Sequence, residues 1–189
     1  MIALRALAAP ATFIALLVSV QPAAAADVTT IGCIEARLGP AAMTRIGGRL
    51  IAAIDAGGSY DGALDLDRDA LTAARDGCRA DNRWTERATA LADSFTQARA
   101  ARIGADSVLR TDGFDPLVLA AAFATLAPAD RHSLTGSDRM TDAVLAKIAT
   151  LVSAPPVTPA TRDAAIRHIV TLFASLSGIE YYPQDFTAA

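Results

Sequence analysis

Four aspartates in one short stretch have a spacing that could bind a metal ion. Asp65, Asp67 and Asp69 would occupy positions 1, 3 and 5 of an EF-hand calcium loop, with Asp76 at position 12. However, position 6 is Ala70, where the loop requires glycine, and Asp76 is shorter than the bidentate glutamate expected at position 12. The residues after Asp69 also favour a helix. The sequence therefore predicts that Asp67 caps this helix and that the aspartates hold no metal.

The residue types of common catalytic sites are sparse. His132 and His168 are the only histidines, and no cysteine or histidine lies at zinc-ligand spacing from either. His168 borders an apolar helix stripe, which favours a structural role. Neither a Gly-x-Ser-x-Gly elbow nor a glycine-rich loop after a strand is present. We therefore predict no catalytic residue, cofactor or metal site. A helical enzyme assembled from distant residues, which leaves no local signature, stays an alternative.

The two cysteines form a natural pair. Cys33 and Cys78 are the only ones, and two cysteines in an exported chain favour a disulfide. Closing so long a loop would stabilise the fold by about 4 kcal/mol in the chain-entropy model. In the alternative, Cys33 carries a lipid, since Ile31-Gly32-Cys33 loosely resembles the end of a lipobox. Thr30, where leucine is usual, disfavours this reading.

The first 26 residues have the layout of a secretory signal. Arg5 supplies the positive start, an apolar core follows at 12–20, and Ala24-Ala-Ala26 fits the small-residue cleavage pattern. The apolar core is shorter than the roughly 20 residues of a spanning helix, which disfavours an uncleaved anchor. We expect cleavage after Ala26, a single domain over 27–189 without a transmembrane segment, and a periplasmic or secreted location.

The charge balance limits the classes of partner. Cleavage would remove one of 17 basic residues and leave 16 against 20 acidic ones, a net charge of −4. Lys147 is the only lysine, and no basic cluster occurs. An acidic domain of this kind is a poor candidate for nucleic acid or anionic membranes. The expected partner is another envelope or secreted protein, and the sequence predicts no particular oligomeric state.

An uncharged segment at about 116–127 is the strongest structural signal. Asp115 can cap a helix, Pro116 suits its first position, and Pro128 ends it. The large apolar side chains point in all directions around the axis; they are Leu117, Val118, Leu119, Phe123 and Leu126. A helix that is apolar on every side is normally buried. We therefore predict an all-α, single-domain helical bundle around this central helix, with one disulfide and essentially no sheet.

Glycines and prolines divide the rest of the chain. Gly39-Pro40 should interrupt the first helix, and Gly104 should end the helix that contains Trp84. Trp84 lies at helical spacing from other apolar residues, which favours a place in the core. Gly47-Gly48 weakens the middle of a helix, so we expect a close crossing with another helix there.

The C-terminal tail, 179–189, is rich in aromatic residues and contains Pro183. We predict that it is non-helical and that it folds back and covers one end of the bundle. In the alternative it is an exposed aromatic patch, with Tyr181 and Tyr182 as candidate contacts for a partner, because tyrosine is enriched at interface centres.

These observations favour a non-catalytic protein-interaction or inhibitor-type module. A carrier of a small apolar ligand is the second hypothesis, and it requires a cavity lined by residues such as Phe123 and Leu126.

Export, cleavage after Ala26 and the Cys33–Cys78 bond can be tested together by intact-mass measurement of protein from the cell envelope. We expect the mass of 27–189 less two hydrogen atoms. A mass that includes the first 26 residues, or two thiols that alkylate without reductant, would contradict the prediction.

Overall fold

The computed structural model describes residues 26–57, 60–135, 140–153 and 156–189, which leaves the expected signal segment outside the described part apart from Ala26. Every regular element of these residues is helical, and they contain no strand, which confirms the all-α class. None of the described helices is long and apolar enough to cross a membrane. The helices are α1 (Cys33–Asp55), α2 (Tyr60–Leu64), α3 (Arg68–Asn82), α4 (Glu86–Thr111), α5 (Pro116–Ala124), α6 (Pro128–His132), α7 (Asp142–Leu151) and α8 (Arg162–Thr187), with 3-10 turns at Val28–Thr30 and Asp65–Asp67.

Helix α4 occupies the centre of the bundle. It packs along its length against α1 on one side and α8 on the other, and these are the two largest helix contacts in the described chain. Its buried residues are mostly small: Ala88, Thr89, Ala92, Thr96, Ala98, Ala100, Ala101, Gly104, Ala105 and Leu109. Small side chains let two neighbouring helices approach the same axis closely, which explains why α4 lies between them.

The α1–α4 crossing is a backbone contact between two glycines. A Cβ atom built on Gly104 would lie 2.3 Å from the carbonyl oxygen of Gly47, and one built on Gly47 would lie 2.3 Å from that of Ala100. The expected close crossing is therefore present at Gly47. The prediction that Gly104 ends its helix is wrong, because α4 continues to Thr111 and uses this glycine for packing. Among the described residues, a Cβ atom built on Gly48 would have no neighbour within 4 Å outside its own stretch of helix.

Helix α5 begins where the sequence predicts but is not central. The Asp115 carboxylate accepts a hydrogen bond from the Leu117 N–H at 2.9 Å, and Pro116 follows at the first position. The helix ends at Ala124, and Leu117 and Val118 are 72% and 60% exposed, so its predicted burial on all sides is wrong. Three consecutive large apolar residues cannot all face inward, and the long, alanine-rich α4 already fills the centre.

A disulfide fixes the opposite end of the bundle. Cys33, the first residue of α1, is bonded to Cys78 of α3, with 5.9 Å between their Cα atoms. Trp84 packs beside it and is 5% exposed, as expected for a core residue. Its indole N–H donates to the Thr30 hydroxyl at 3.0 Å, which satisfies its only polar atom. The α1 helix is interrupted at Gly39, whose φ of 75° favours glycine.

The prediction of a non-helical tail is also wrong. Helix α8 continues through Pro183 to Thr187, although an interior proline removes a hydrogen bond and costs about 3 kcal/mol. Burial of Phe186 accounts for this, since its ring is fully buried and contacts Trp84 edge-on with centroids 5.5 Å apart. Extending the helix therefore brings an aromatic side chain into the core at the disulfide end.

The glycine crossing yields a test with a matched control. Gly47→Ala should lower the free energy of unfolding by about 3 kcal/mol, at the upper end of overpacking costs, because the new methyl group meets backbone. Gly48→Ala should raise it by about 0.5–1 kcal/mol, since this glycine is unobstructed and alanine favours the helix. Urea denaturation measures both changes, and equal effects would contradict the crossing.

Candidate interaction surface

Helix α5 presents one apolar side to solvent. Leu117 and Val118 are joined on that side by Ala121, three to four residues further along, and by Ala124, three residues beyond Ala121, and all four are exposed. We call these four residues the outer face of α5. The helix carries no charged residue. Contiguous exposed apolar side chains mark sites of protein contact more often than singly scattered ones do.

The opposite side of α5 holds the helix to the bundle. Leu119 and Phe123 are 2% and 5% exposed and pack in one core cluster with residues of α4, α7 and α8. The rings of Phe123 and Phe173 contact edge-on, with centroids 5.4 Å apart. This burial fixes the orientation of the helix, so the outer face points away from the bundle. Phe123 and Leu126 both belong to this packed cluster.

The two tyrosines have partners within the fold. The Tyr181 hydroxyl donates to the carbonyl oxygen of Pro128 at 2.8 Å, and its ring contacts His132 edge-on with centroids 4.3 Å apart. Tyr182 is partly buried, and its ring lies against Gly178. Burial raises the pKa of Tyr182, and Asp185 raises it further. Both tyrosines therefore lie on helix α8 and not on the non-helical tail that the sequence predicts.

An ion pair joins α6 to α8 beside Tyr181. The Arg131 guanidinium donates to both oxygens of Glu180, at 2.7 Å from Nη2 and 2.9 Å from Nε. Hydrogen bonding from Arg131 lowers the pKa of Glu180, and the same bond raises that of Arg131. Glu180 therefore stays ionised at neutral pH, and the pair is lost only as the pH falls below the usual range of a glutamate.

His168 lies in a polar cluster that the sequence did not reveal. The side chain is 4% exposed, with Nδ1 3.0 Å from Asp112 and Nε2 3.1 Å from Asp55, which also pairs with Arg167. Each ring nitrogen lies within hydrogen-bond distance of a carboxylate, and the tautomer decides which nitrogen donates. The cluster therefore connects the ends of α1 and α4 to α8.

One sequence signal could have found this cluster. Asp55 is the last residue of α1 and Asp112 is the C-cap of α4. An acidic residue at a helix C-terminus lies at the negative end of the helix dipole and favours a compensating cation nearby. Two such aspartates would have pointed to a buried basic residue between the two helix ends.

The Asp67 carboxylate is hydrogen-bonded to two arginines and does not cap α3. Its side chain is 5% exposed and accepts hydrogen bonds from Arg45, at 2.9 Å and 3.0 Å, and from Arg49. It makes no bond to the first N–H groups of α3, so the predicted cap is wrong. Asp65 pairs with Arg68. No group of histidine, cysteine, aspartate and glutamate side chains that could hold a metal ion occurs among the described residues.

Searches against protein-family models, curated proteins and solved structures returned no match for this chain.

The arginine pairing of Asp67 leads to a stability prediction. Asp67→Ala should lower the free energy of unfolding by about 1–3 kcal/mol, the usual cost of removing a partner of buried charged hydrogen bonds. Asp69→Ala, at an exposed position in the first turn of α3, should change it by less than about 0.5 kcal/mol. Calorimetric titration of the wild-type chain with calcium should give no heat of binding. A micromolar site that disappears in Asp67→Ala would overturn this assignment.

Proposed function

We propose that this protein is a non-catalytic interaction module of the cell envelope that binds a partner protein through the outer face of α5. The observation that carries the proposal is the exposure of Leu117 and Val118, at 72% and 60%, on a helix without charge. Contiguous exposed apolar side chains are a feature of protein interaction sites, whereas a single exposed one, such as Leu66, is ordinary.

The geometry suits a helix that docks into a groove. In this mode an amphipathic helix places apolar anchors one turn apart into a hydrophobic groove of the partner. Leu117 and Val118, which are adjacent, supply the large side chains in the first turn of α5. Ala121 and Ala124, about one and two turns further on, allow the rest of the outer face to approach the groove closely. The partner's surface should accordingly be apolar, because the outer face offers no charge to match. The signal layout of the first 26 residues supports a location in the periplasm or outside the cell.

Tyr181 and Tyr182 remain secondary candidates for contact. Each is partly exposed, and tyrosine contributes strongly to many interfaces. Their internal contacts with α6 and Gly178 make a structural role the first expectation. The outer face of α5 differs from them, since it contributes little to the core and can be changed without loss of packing.

The outer face can be tested by capture of partners from envelope extract with immobilised mature chain. Leu117→Glu should weaken capture of a specific partner at least tenfold, because a charge then enters the apolar contact. The melting temperature should change little, since the side chain is exposed. Leu66→Glu is the matched control, because Leu66 is 81% exposed but lies between α2 and α3.

The variants separate the possible surfaces. A partner retained by Leu66→Glu and lost in Leu117→Glu supports the outer face. Equal retention by both variants contradicts it. Tyr182→Ala should lower the melting temperature by several degrees through lost packing. If instead it leaves the melting temperature unchanged and abolishes capture, the contact surface is at the end of α8.

A further inference from the structure

Helix α6 is attached to the bundle mainly by polar contacts. None of its five residues is buried, and no side chain caps its first turn. Four contacts connect it to α8: the Arg131–Glu180 pair, the bond from Ser177 to the Arg131 carbonyl at 2.5 Å, the bond from Tyr181 to Pro128, and the ring contact between His132 and Tyr181. A segment without buried apolar side chains has a low free energy of local opening.

The segment covers the inner side of α5. The Arg131 guanidinium lies 5.9 Å from the centroid of the Phe123 ring, and its Nη1 donates to the Leu126 carbonyl at 2.7 Å. Leu134, just after α6, packs against the same core cluster. Phe123 and Leu126 are 5% and 7% exposed with the segment in place. Displacing Arg131 would therefore open the side of α5 opposite its outer face.

We propose that residues 127–135 form a latch that opens locally, without unfolding of the bundle, and exposes Phe123 of α5 and Leu126 just after it. Helix α5 is apolar around its whole circumference, so an open latch gives it a second contact face. The latch is a property of the free chain and does not depend on the proposed partner. Its state sets how much of α5 a partner can reach.

The ion pair is the main polar contact that closes the latch. It is bidentate, and the side chains of Arg131 and Glu180 are only 18% and 32% exposed. Because hydrogen bonding to Arg131 lowers the pKa of Glu180, mild acid leaves the pair intact. At neutral pH the latch therefore opens by thermal fluctuation, or when another acidic group competes with Glu180 for Arg131. Among the described residues, Tyr181 of α8 is the other titratable group that interacts with both members of the pair.

The chain contains a matched control for this pair. Arg99 of α4 donates to both oxygens of Glu35 of α1, at 2.9 Å and 3.0 Å, with side-chain exposures of 39% and 25%. That pair joins two long helices that are also held together by buried residues. Removing it should not affect α6. The comparison of Glu180→Gln with Glu35→Gln therefore distinguishes loss of the latch from loss of a bidentate pair in general.

Hydrogen–deuterium exchange of the mature chain, read by mass spectrometry, tests the latch at pH 7. In the wild-type chain, amides of 127–135 should exchange faster than those in the middle of α4 and α8. Glu180→Gln should speed their exchange about fivefold, the upper effect of a partly exposed pair, while Glu35→Gln leaves it unchanged. Fluorescence of an anilinonaphthalene dye should rise in Glu180→Gln alone, because Phe123 and Leu126 become accessible.

A milder variant keeps the test decisive if Glu180→Gln disturbs the whole fold. Tyr181→Phe keeps the ion pair but removes the hydroxyl that donates to Pro128 and interacts with Arg131 and Glu180, and it should still speed exchange of 127–135 about twofold to threefold. If 127–135 exchanges only through global unfolding in the wild-type chain, or neither variant changes it selectively, the latch is refuted. That result would not affect the proposal that a partner binds the outer face of α5, because the effect of Leu117→Glu on partner capture is measured in a separate experiment.

Discussion

The contact between Gly47 and Gly104 sets the geometry of the bundle. At this point the backbones of α1 and α4 touch, and there is no space for even one methyl group on either side. So close an approach gains dispersion contacts along both helices and allows Cα–H groups to meet carbonyl oxygens. Two mid-helix glycines each cost about 1 kcal/mol in helix propensity, and this packing offsets that cost.

The other neighbours of α4 follow from the same principle. On its opposite side, α4 meets α8 where Gly178 lies near Ala98, and a Cβ on that glycine would be 3.0 Å from the alanine methyl. With α1 and α8 this close to α4, the fully buried residues of α4 are small except for Leu109, which packs at the end that α5 covers. Trp84, just before α4, packs at the disulfide end. The short helices are left to close those two ends.

The sequence correctly predicted those features of the fold that depend only on residues close together in the chain. The Asp115-Pro116 start, the interruption at Gly39 and the helical class all follow from caps, fixed dihedrals and periodicity. The Cys33–Cys78 bond followed because only two cysteines exist. Gly104 and Pro183 were misread, because both are breakers by propensity. At both residues the helix continues because of tertiary contacts, and no local sequence pattern reveals such contacts.

The candidate surface was predicted only in part for a related reason. The all-round apolar character of α5 was correctly recognised, but the side that faces solvent depends on what else fills the core. A chain with 52% hydrophobic residues and only 5% aromatic ones builds much of its interior from alanine. In such a bundle the helix with the smallest side chains lies at the centre, because it can pack closely against two other helices at once.

Larger apolar side chains then pack at the periphery, where some of them stay exposed. Leu117 and Val118 are in that position at the edge, while Phe123 on the same helix reaches the core. Polar contacts complete the closure of this end, through His168 between the ends of α1 and α4 and through Arg131 between α6 and α8. Polar closure of this kind is weaker than apolar burial and more readily reversed. The end of the bundle that carries α5 is therefore the end that can change its exposed surface without disturbing the glycine crossing.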